Sequence, residues 1–166
     1  MKKFVALLLA VLMVASLCAC GQKDTGSDLQ TVTKGKLIMS TNAEFAPYEY
    51  VADDGKGFQG TGYEGIDIEI AYALAQKLGL ELVVDNMDFD AALSAVQTGK
   101  SDMVAAGVTV TPDRLNAMSF TDSYANGVQV VIVKEGSDVT MDNLGEKMIG
   151  TQAGTTGYIY ASYPPE

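Results

Sequence analysis

The sequence predicts an α/β fold in which a parallel sheet is flanked by helices. Three observations carry that reading. Short apolar runs alternate with helical stretches in the order β-α-β-α-β. One helical stretch repeats an apolar residue every fourth position, at Ile66, Ile70, Leu74 and Leu78. The turns between the elements carry residues that start and stop helices.

Taken in order, Leu37-Ile38-Met39-Ser40 follows a polar stretch and reads as the first strand. Asn42–Tyr50 (NAEFAPYEY) is aromatic and broken by Pro47, so it reads as a loop. Asp53–Gly62 holds Gly55, Gly57, Gly60 and Gly62 and reads as a flexible turn region. The helix with the Ile66-Ile70-Leu74-Leu78 stripe, adjoined by Ala73 and Lys77, takes Asp67 as its N-cap and stops at Gly79. Leu80–Val84 is the second strand. Asp88 or Asp90 caps the next helix, whose apolar side carries Ala92, Leu93 and Val96 and which Gly99 ends. Met103-Val104-Ala105-Ala106 is the third strand. Thr111-Pro112-Asp113-Arg114 is the strongest local signal: Thr111 caps, Pro112 suits the first helical position, and Asp113 complements the positive helix end. Val128–Val133 and Met148–Thr151 are further strands. Ala153-Gly154-Thr155-Thr156-Gly157 is a Gly/Thr loop before a helix from Tyr158.

Composition narrows the function. The chain has 166 residues, enough for one domain or for one lobe and part of another. Hydrophobic residues make up 48% and charged residues 19%, the composition of a globular chain. Eleven Lys and Arg against 21 Asp and Glu give a net charge of −10, which argues against a nucleic-acid partner. There is no His, which excludes Ser-His-Asp and Cys-His catalysis and imidazole metal ligation. No clustered ligands imply a metal, and no cofactor is implied. Both cysteines lie in the first 20 residues, so the body has neither a disulfide nor a thiol nucleophile.

Lys2 and Lys3 precede a run from Phe4 to Leu17 that is apolar apart from Ser16 and too short for a comfortable membrane span. It reads as the apolar region of a secretory signal. Leu17-Cys18-Ala19-Cys20-Gly21 resembles a bacterial lipobox, which implies cleavage before Cys20 and lipidation there; Cys18 fits less well. An ordinary signal peptide and a short membrane anchor are the alternatives. The polar stretch Gln22–Lys36 then serves as a tether.

In parallel sheets ligands bind at the carboxyl ends of strands. The loops there are Asn42–Tyr50, Asn86–Asp90 and Gly107–Arg114, and the last carries the only arginine. These loops occur within TNAEFAPYEY (41–50), GYEGIDIEIAYALAQKLG (62–79) and NMDFDAALSAVQTGKSDMVAAGVTVTPDR (86–114). Together with FTDSYANGVQVVIVK (120–134) and NLGEKMIGTQAGTTG (143–157), they resemble the family 3 bacterial extracellular solute-binding proteins, the amino-acid receptors of ABC importers. The resemblance implies a type II periplasmic-binding-protein-like clamp of two α/β lobes, here lobe I plus the start of lobe II. It divides the chain into a signal peptide (1–19), anchor and tether (20–35), lobe I (36–125), hinge crossing and first lobe II strand (126–133) and partial lobe II (134–166). The family chain runs on to finish lobe II and return to lobe I, so the resemblance implies C-terminal truncation.

It also implies roles. Arg114 resembles the arginine that clamps the ligand's α-carboxylate, which suits the planar donor fork of a guanidinium. Gly107 and Thr109 match positions at the ligand's ammonium and carboxylate. Phe45 and Phe89 match its aromatic walls. Asn42 stands where some relatives carry an acid, which argues against a strongly basic ligand unless Glu44 points inward. Thr155 and Thr156 resemble the loop that reaches the carboxylate from the second lobe, with Gln152 as a lesser candidate. Thr111 is a cap rather than a ligand, and Tyr48 and Tyr50 are structural.

The implied function is a lipid-anchored receptor at the extracytoplasmic face of the cell membrane. It would grip a polar or neutral amino acid and hand it to ABC permease subunits. Two alternatives use the same scaffold. One is a dehydratase or lyase with Glu44, Asp88 or Glu49 as general acid, and the other is an amino-acid sensor module.

Overall fold

The computed structural model describes residues 29–163. The expected signal segment, Cys20, residues 22–28 of the expected tether and the last three residues lie outside the described residues. In chain order the strands are β1 (Lys36–Thr41), β2 (Glu44–Phe45), β3 (Glu49–Val51), β4 (Tyr63–Glu64), β5 (Glu81–Asn86) and β6 (Met103–Val104). The helices are α1 (Ile66–Leu78), α2 (Phe89–Gln97), α3 (Pro112–Leu115) and α4 (Thr156–Ser162).

The main sheet has the order β5-β1-β6 and is parallel throughout. Strand β1 lies in the middle: Met39 pairs with Val84 on one side and with Met103 on the other. A central strand is covered on both faces, so the hydroxyls it carries need partners inside. Ser40 Oγ donates to the Ala92 carbonyl at 3.0 Å, and Thr41 Oγ1 donates to the Ala105 carbonyl at 2.7 Å. Met39, Ile68, Ala71 and Ala105 form the main core cluster. Phe89, Leu93 and Ala106 form a second one under the carboxyl end of the sheet.

Helix α1 spans the expected residues but faces the other way. Ile66, Ile70 and Leu74 are exposed, while Ile68, Ala71 and Ala75 are buried. The alanines recur at helical spacing too, and their small side chains let the helix approach the sheet closely. Asp67 is not the cap. It is the second helical residue and fully buried. The amides at the helix start are satisfied instead by backbone, Ile66 N–H by the Pro47 carbonyl and Asp67 N–H by the Tyr48 carbonyl. Gly79 ends the helix in the left-handed conformation as expected, and the next amide, Leu80 N–H, returns to the Ala75 carbonyl.

The expected loop at 42–50 contains two short strands. Pro47 sits in the turn between β2 and β3, where its missing donor costs no ladder bond, and β4 completes an antiparallel sheet of order β2-β3-β4. Helix α2 begins after Asp88, but Asp88 makes no side-chain cap bond and Asp90 lies inside the first turn. Ala92 and Leu93 are buried as expected, and Ala95 rather than Val96 completes that face. The third strand is shorter than expected, because Ala105 and Ala106 are buried beyond its end. Thr111 caps α3: its hydroxyl accepts from Arg114 N–H at 3.3 Å, a bond of a kind that stabilises by about 1 kcal/mol.

Neither Val128–Val133 nor Met148–Thr151 is a strand. A strand needs a neighbour to take its backbone groups, and none pairs with either segment among the described residues. No described residue after Ala106 is buried. The 129–163 portion instead meets the α/β unit through side chains around one cleft.

Candidate functional site

That cleft has a volume of about 250 Å³. It lies at the carboxyl end of the parallel sheet, and the Gly/Thr loop before α4 forms its far wall. All eight residues expected at a site line it: Asn42, Phe45, Phe89, Gly107, Thr109, Arg114, Thr155 and Thr156.

Arg114 sits at the junction of the two walls. Helix α3 carries it, and its guanidinium lies 5.4 Å over the Phe89 ring. Nη1 donates to the Thr109 carbonyl at 2.8 Å, and Nη2 donates across the cleft to the Gly154 carbonyl at 3.0 Å. Burial pulls its pKa down and the charge of nearby Asp90 opposes that pull. A guanidinium stays cationic under such a shift. The two bonds direct the donor fork along the cleft, on an aromatic platform, where a carboxylate can exchange for a carbonyl.

Asn42 is tied at both ends. Its Nδ2 donates to the Met87 carbonyl at 3.0 Å, and its Oδ1 accepts from Gln152 Nε2 at 2.9 Å. The second bond, like that of Arg114 to Gly154, joins the α/β unit to the opposite wall. The walls approach closely here, since a side chain at Gly154 would meet the Asp90 carboxylate. Phe45 is half exposed and stacks on Tyr48 with ring centroids 5.3 Å apart. Phe89 is largely buried and serves the core as well as the cleft. Gly107 has a φ of +53°, and a Cβ there would lie 2.8 Å from the Phe45 ring, so only glycine fits against that wall.

A family model for bacterial extracellular solute-binding proteins, family 3, matches residues 37–156. This chain belongs to that family. Among curated relatives of this solute-binding protein, the arginine-binding extracellular protein ArtP of Bacillus subtilis is 35% identical over 156 residues, covering 93% of this chain and 57% of the relative. A probable histidine-binding protein of Neisseria gonorrhoeae is 34% identical over 160 residues, covering 95% of this chain and 57% of the relative. The solved structure of a truncated, arginine-bound ArgBP from T. maritima superposes with a TM-score of 0.72 at 33% identity, covering 80% of this chain and 62% of that one. The solute-binding protein described here thus spans a little over half the length of these curated relatives.

Glu49, Gln129, Thr151 and Gln152 also line the cleft of this solute-binding protein. Gln152 carried a sequence signal, since it immediately precedes the Gly/Thr loop. Gln129 carried one as well, as the single polar residue in the run Val128–Val133. It donates to Thr156 Oγ1 at 3.1 Å. Glu44, by contrast, is exposed and does not line the cleft. Among the described residues no helix is long and apolar enough to cross a membrane, and no group of three acidic, His or Cys side chains could hold a metal.

Glu49 is the unusual member. It is 1% exposed, and its Oε2 finds no donor. An ionised carboxylate there would be an uncompensated buried charge, whereas a carboxylic acid can donate to Asp67. Burial first, then the Asp67 charge and the hydrogen bond to Asp67, push the Glu49 pKa from 4.5 up to about 10. The sign for stability follows. Between those values the unfolded chain has released this proton and the folded chain has kept it, so stability falls as pH rises through the window. The expected result is that Glu49→Gln, neutral in both states, removes this slope. Urea unfolding at about pH 5 and about pH 8 should show the wild type losing stability relative to the variant, by at most about 1.4 kcal/mol per pH unit, solvent screening reducing the figure. A difference between the two proteins that does not change with pH would refute the assignment.

Proposed function

We propose that this chain supplies the ligand-gripping face of an extracytoplasmic amino-acid receptor that serves an ABC importer. The observation that carries the proposal is the Arg114 guanidinium, held on Phe89 and spanning the cleft between the Thr109 and Gly154 carbonyls. A bidentate donor set in that place suits an α-carboxylate. Membership of a solute-binding family supports it, as do curated relatives named for binding arginine and histidine. Thr109, Thr155 and Thr156 offer further groups to the carboxylate, Gly107 to the ammonium, and Phe45 with Phe89 walls for the side chain.

The wall chemistry favours a polar or neutral side chain. Asn42 presents a carboxamide that is engaged at both ends, Glu44 does not line the cleft, and burial raises the Glu49 pKa to about 10. No ionised carboxylate among the described lining residues is placed to receive a cationic side chain. The same facts favour binding over turnover. The one acid in the described lining is buried and keeps its proton to about 10, far from the operating range of a general acid. Permease subunits as the partner, residues 1–19 as a signal peptide and Cys20 as the lipidated anchor at the membrane face complete the proposal.

Titration calorimetry with each of the twenty amino acids tests it. Saturable binding of a neutral polar amino acid, with none of arginine, is the expected result. Heat from arginine alone would overturn the specificity, and no heat from any of them would overturn the function.

A further inference from the structure

Asp67 is a buried acid with no use in the cleft itself. It is fully buried in the first turn of α1 and forms no ion pair among the described residues. A charge in such a place persists only when hydrogen bonds compensate it. Here they come from segments far apart in sequence. Oδ2 accepts from Gly107 N–H at 2.8 Å, 40 residues away. Oδ1 accepts from Tyr124 Oη–H at 2.7 Å, 57 residues away. Asp67's own amide is bound to the Tyr48 carbonyl, and the Glu49 carboxyl of β3 lies close enough for the Asp67 charge to raise its pKa.

The two long-range donors have different surroundings. Gly107 lines the cleft, pressed against the Phe45 ring. Tyr124 does not line it. It belongs to the extended segment that leads out of the α/β unit toward Gln129 and the far wall. Burial first, then the hydrogen bond to Asp67 and its charge, raise the Tyr124 pKa and hold the phenol in its protonated, donating form.

We propose that Asp67 is a positioning residue of the binding site, which fixes the Gly107 backbone at the cleft and the Tyr124 segment outside it through one carboxylate. The orientation of the Gly107 peptide then depends on where the 120–128 segment lies, although neither Asp67 nor Tyr124 touches the cleft. A bond to a charged acceptor contributes enough to set such an orientation. An apolar residue of similar size would leave the Gly107 N–H and the Tyr124 hydroxyl without this acceptor, so the carboxylate ties the two segments together.

The test uses the 166-residue chain and two variants, Tyr124→Phe, which removes only the hydroxyl, and Asp67→Asn. Nitrogen-edited NMR follows the Gly107 amide without any ligand. The expected result is that Tyr124→Phe shifts that resonance and speeds its hydrogen exchange by about tenfold or more, with Asp67→Asn doing so further if it folds. Affinity for the amino acid found by calorimetry should fall by about tenfold in Tyr124→Phe. A purely structural role would lower the melting temperature and leave both readouts unchanged, which would overturn the proposal. The affinity measurement rests on the amino-acid reading above and the resonance does not. If no amino acid binds, that reading fails, and the Gly107 signal alone decides this one.

Discussion

Arg114→Ala is expected to weaken amino-acid binding by about 100-fold or more while leaving the fold intact. The side chain supplies the only cation in the described lining of the cleft, and it donates at 2.8 and 3.0 Å to carbonyls that a carboxylate would replace. Charge-assisted bidentate bonds of this kind contribute about 2–4 kcal/mol when partly desolvated. The loss for stability is small, since α3 is a four-residue helix with no buried residue. Arg114→Lys separates charge from geometry. It keeps the cation and loses the fork, so it should recover part of the affinity and not all of it. Calorimetry beside a thermal melt reads both quantities, and an unchanged affinity in the alanine variant would remove the basis of the proposed function.

The largest effect on stability is expected at a residue that does not line the cleft, Gly65. Its φ of +120° lies where only glycine is at ease, and a Cβ there would run into the Tyr48 carbonyl and lie 2.9 Å from that of Pro47. Those same two carbonyls take the first amides of α1. A side chain therefore breaks the helix start as well as straining the backbone, and no flexible neighbour can yield. Gly65→Ala should destabilise the protein by about 3 kcal/mol or more, read as a lowered urea midpoint. A loss below about 0.5 kcal/mol would mean that the turn at Pro47 and Tyr48 shifts freely. Because Asp67 follows two residues later, the surviving folded fraction should also bind less tightly.

Much of this molecule is legible in its sequence where the signal is local. The extent of α1 and the cap at Thr111 depend on neighbours within a few positions, and the parallel sense of the sheet follows from the alternation of strands and helices. Six of the eight site residues fall in the segments that follow β1, β5 and β6, as the alternation of elements suggests, while Thr155 and Thr156, suggested by the family resemblance, reach the same cleft from the loop at the start of α4. What stayed hidden depends on distant partners. An acid near a helix start reads as a cap, and nothing nearby reveals that Asp67 serves Gly107 and Tyr124 instead. The large residues Ile66, Ile70 and Leu74 outweigh Ala71 and Ala75 in any periodicity, yet the sheet accepts the small ones. Glu49 sits in a stretch whose Pro47 suggests a loop, which conceals the short strand that carries it inward.

The run Val-Gln-Val-Val-Ile-Val at 128–133 has a consequence for handling the protein in solution. It is rich in β-branched residues and uncharged, it contains no proline, and Val128 and Ile132 are 84% and 92% exposed. Six residues of that composition with unpaired backbone groups form a template for self-recruitment between molecules, strand against strand. As these 166 residues stand, colloidal behaviour should therefore be governed by concentration and by the hexapeptide, with the net charge of −10 as the main force keeping molecules apart. High salt screens that repulsion, so dilute, low-salt buffers are the conditions in which the cleft can be studied in single molecules.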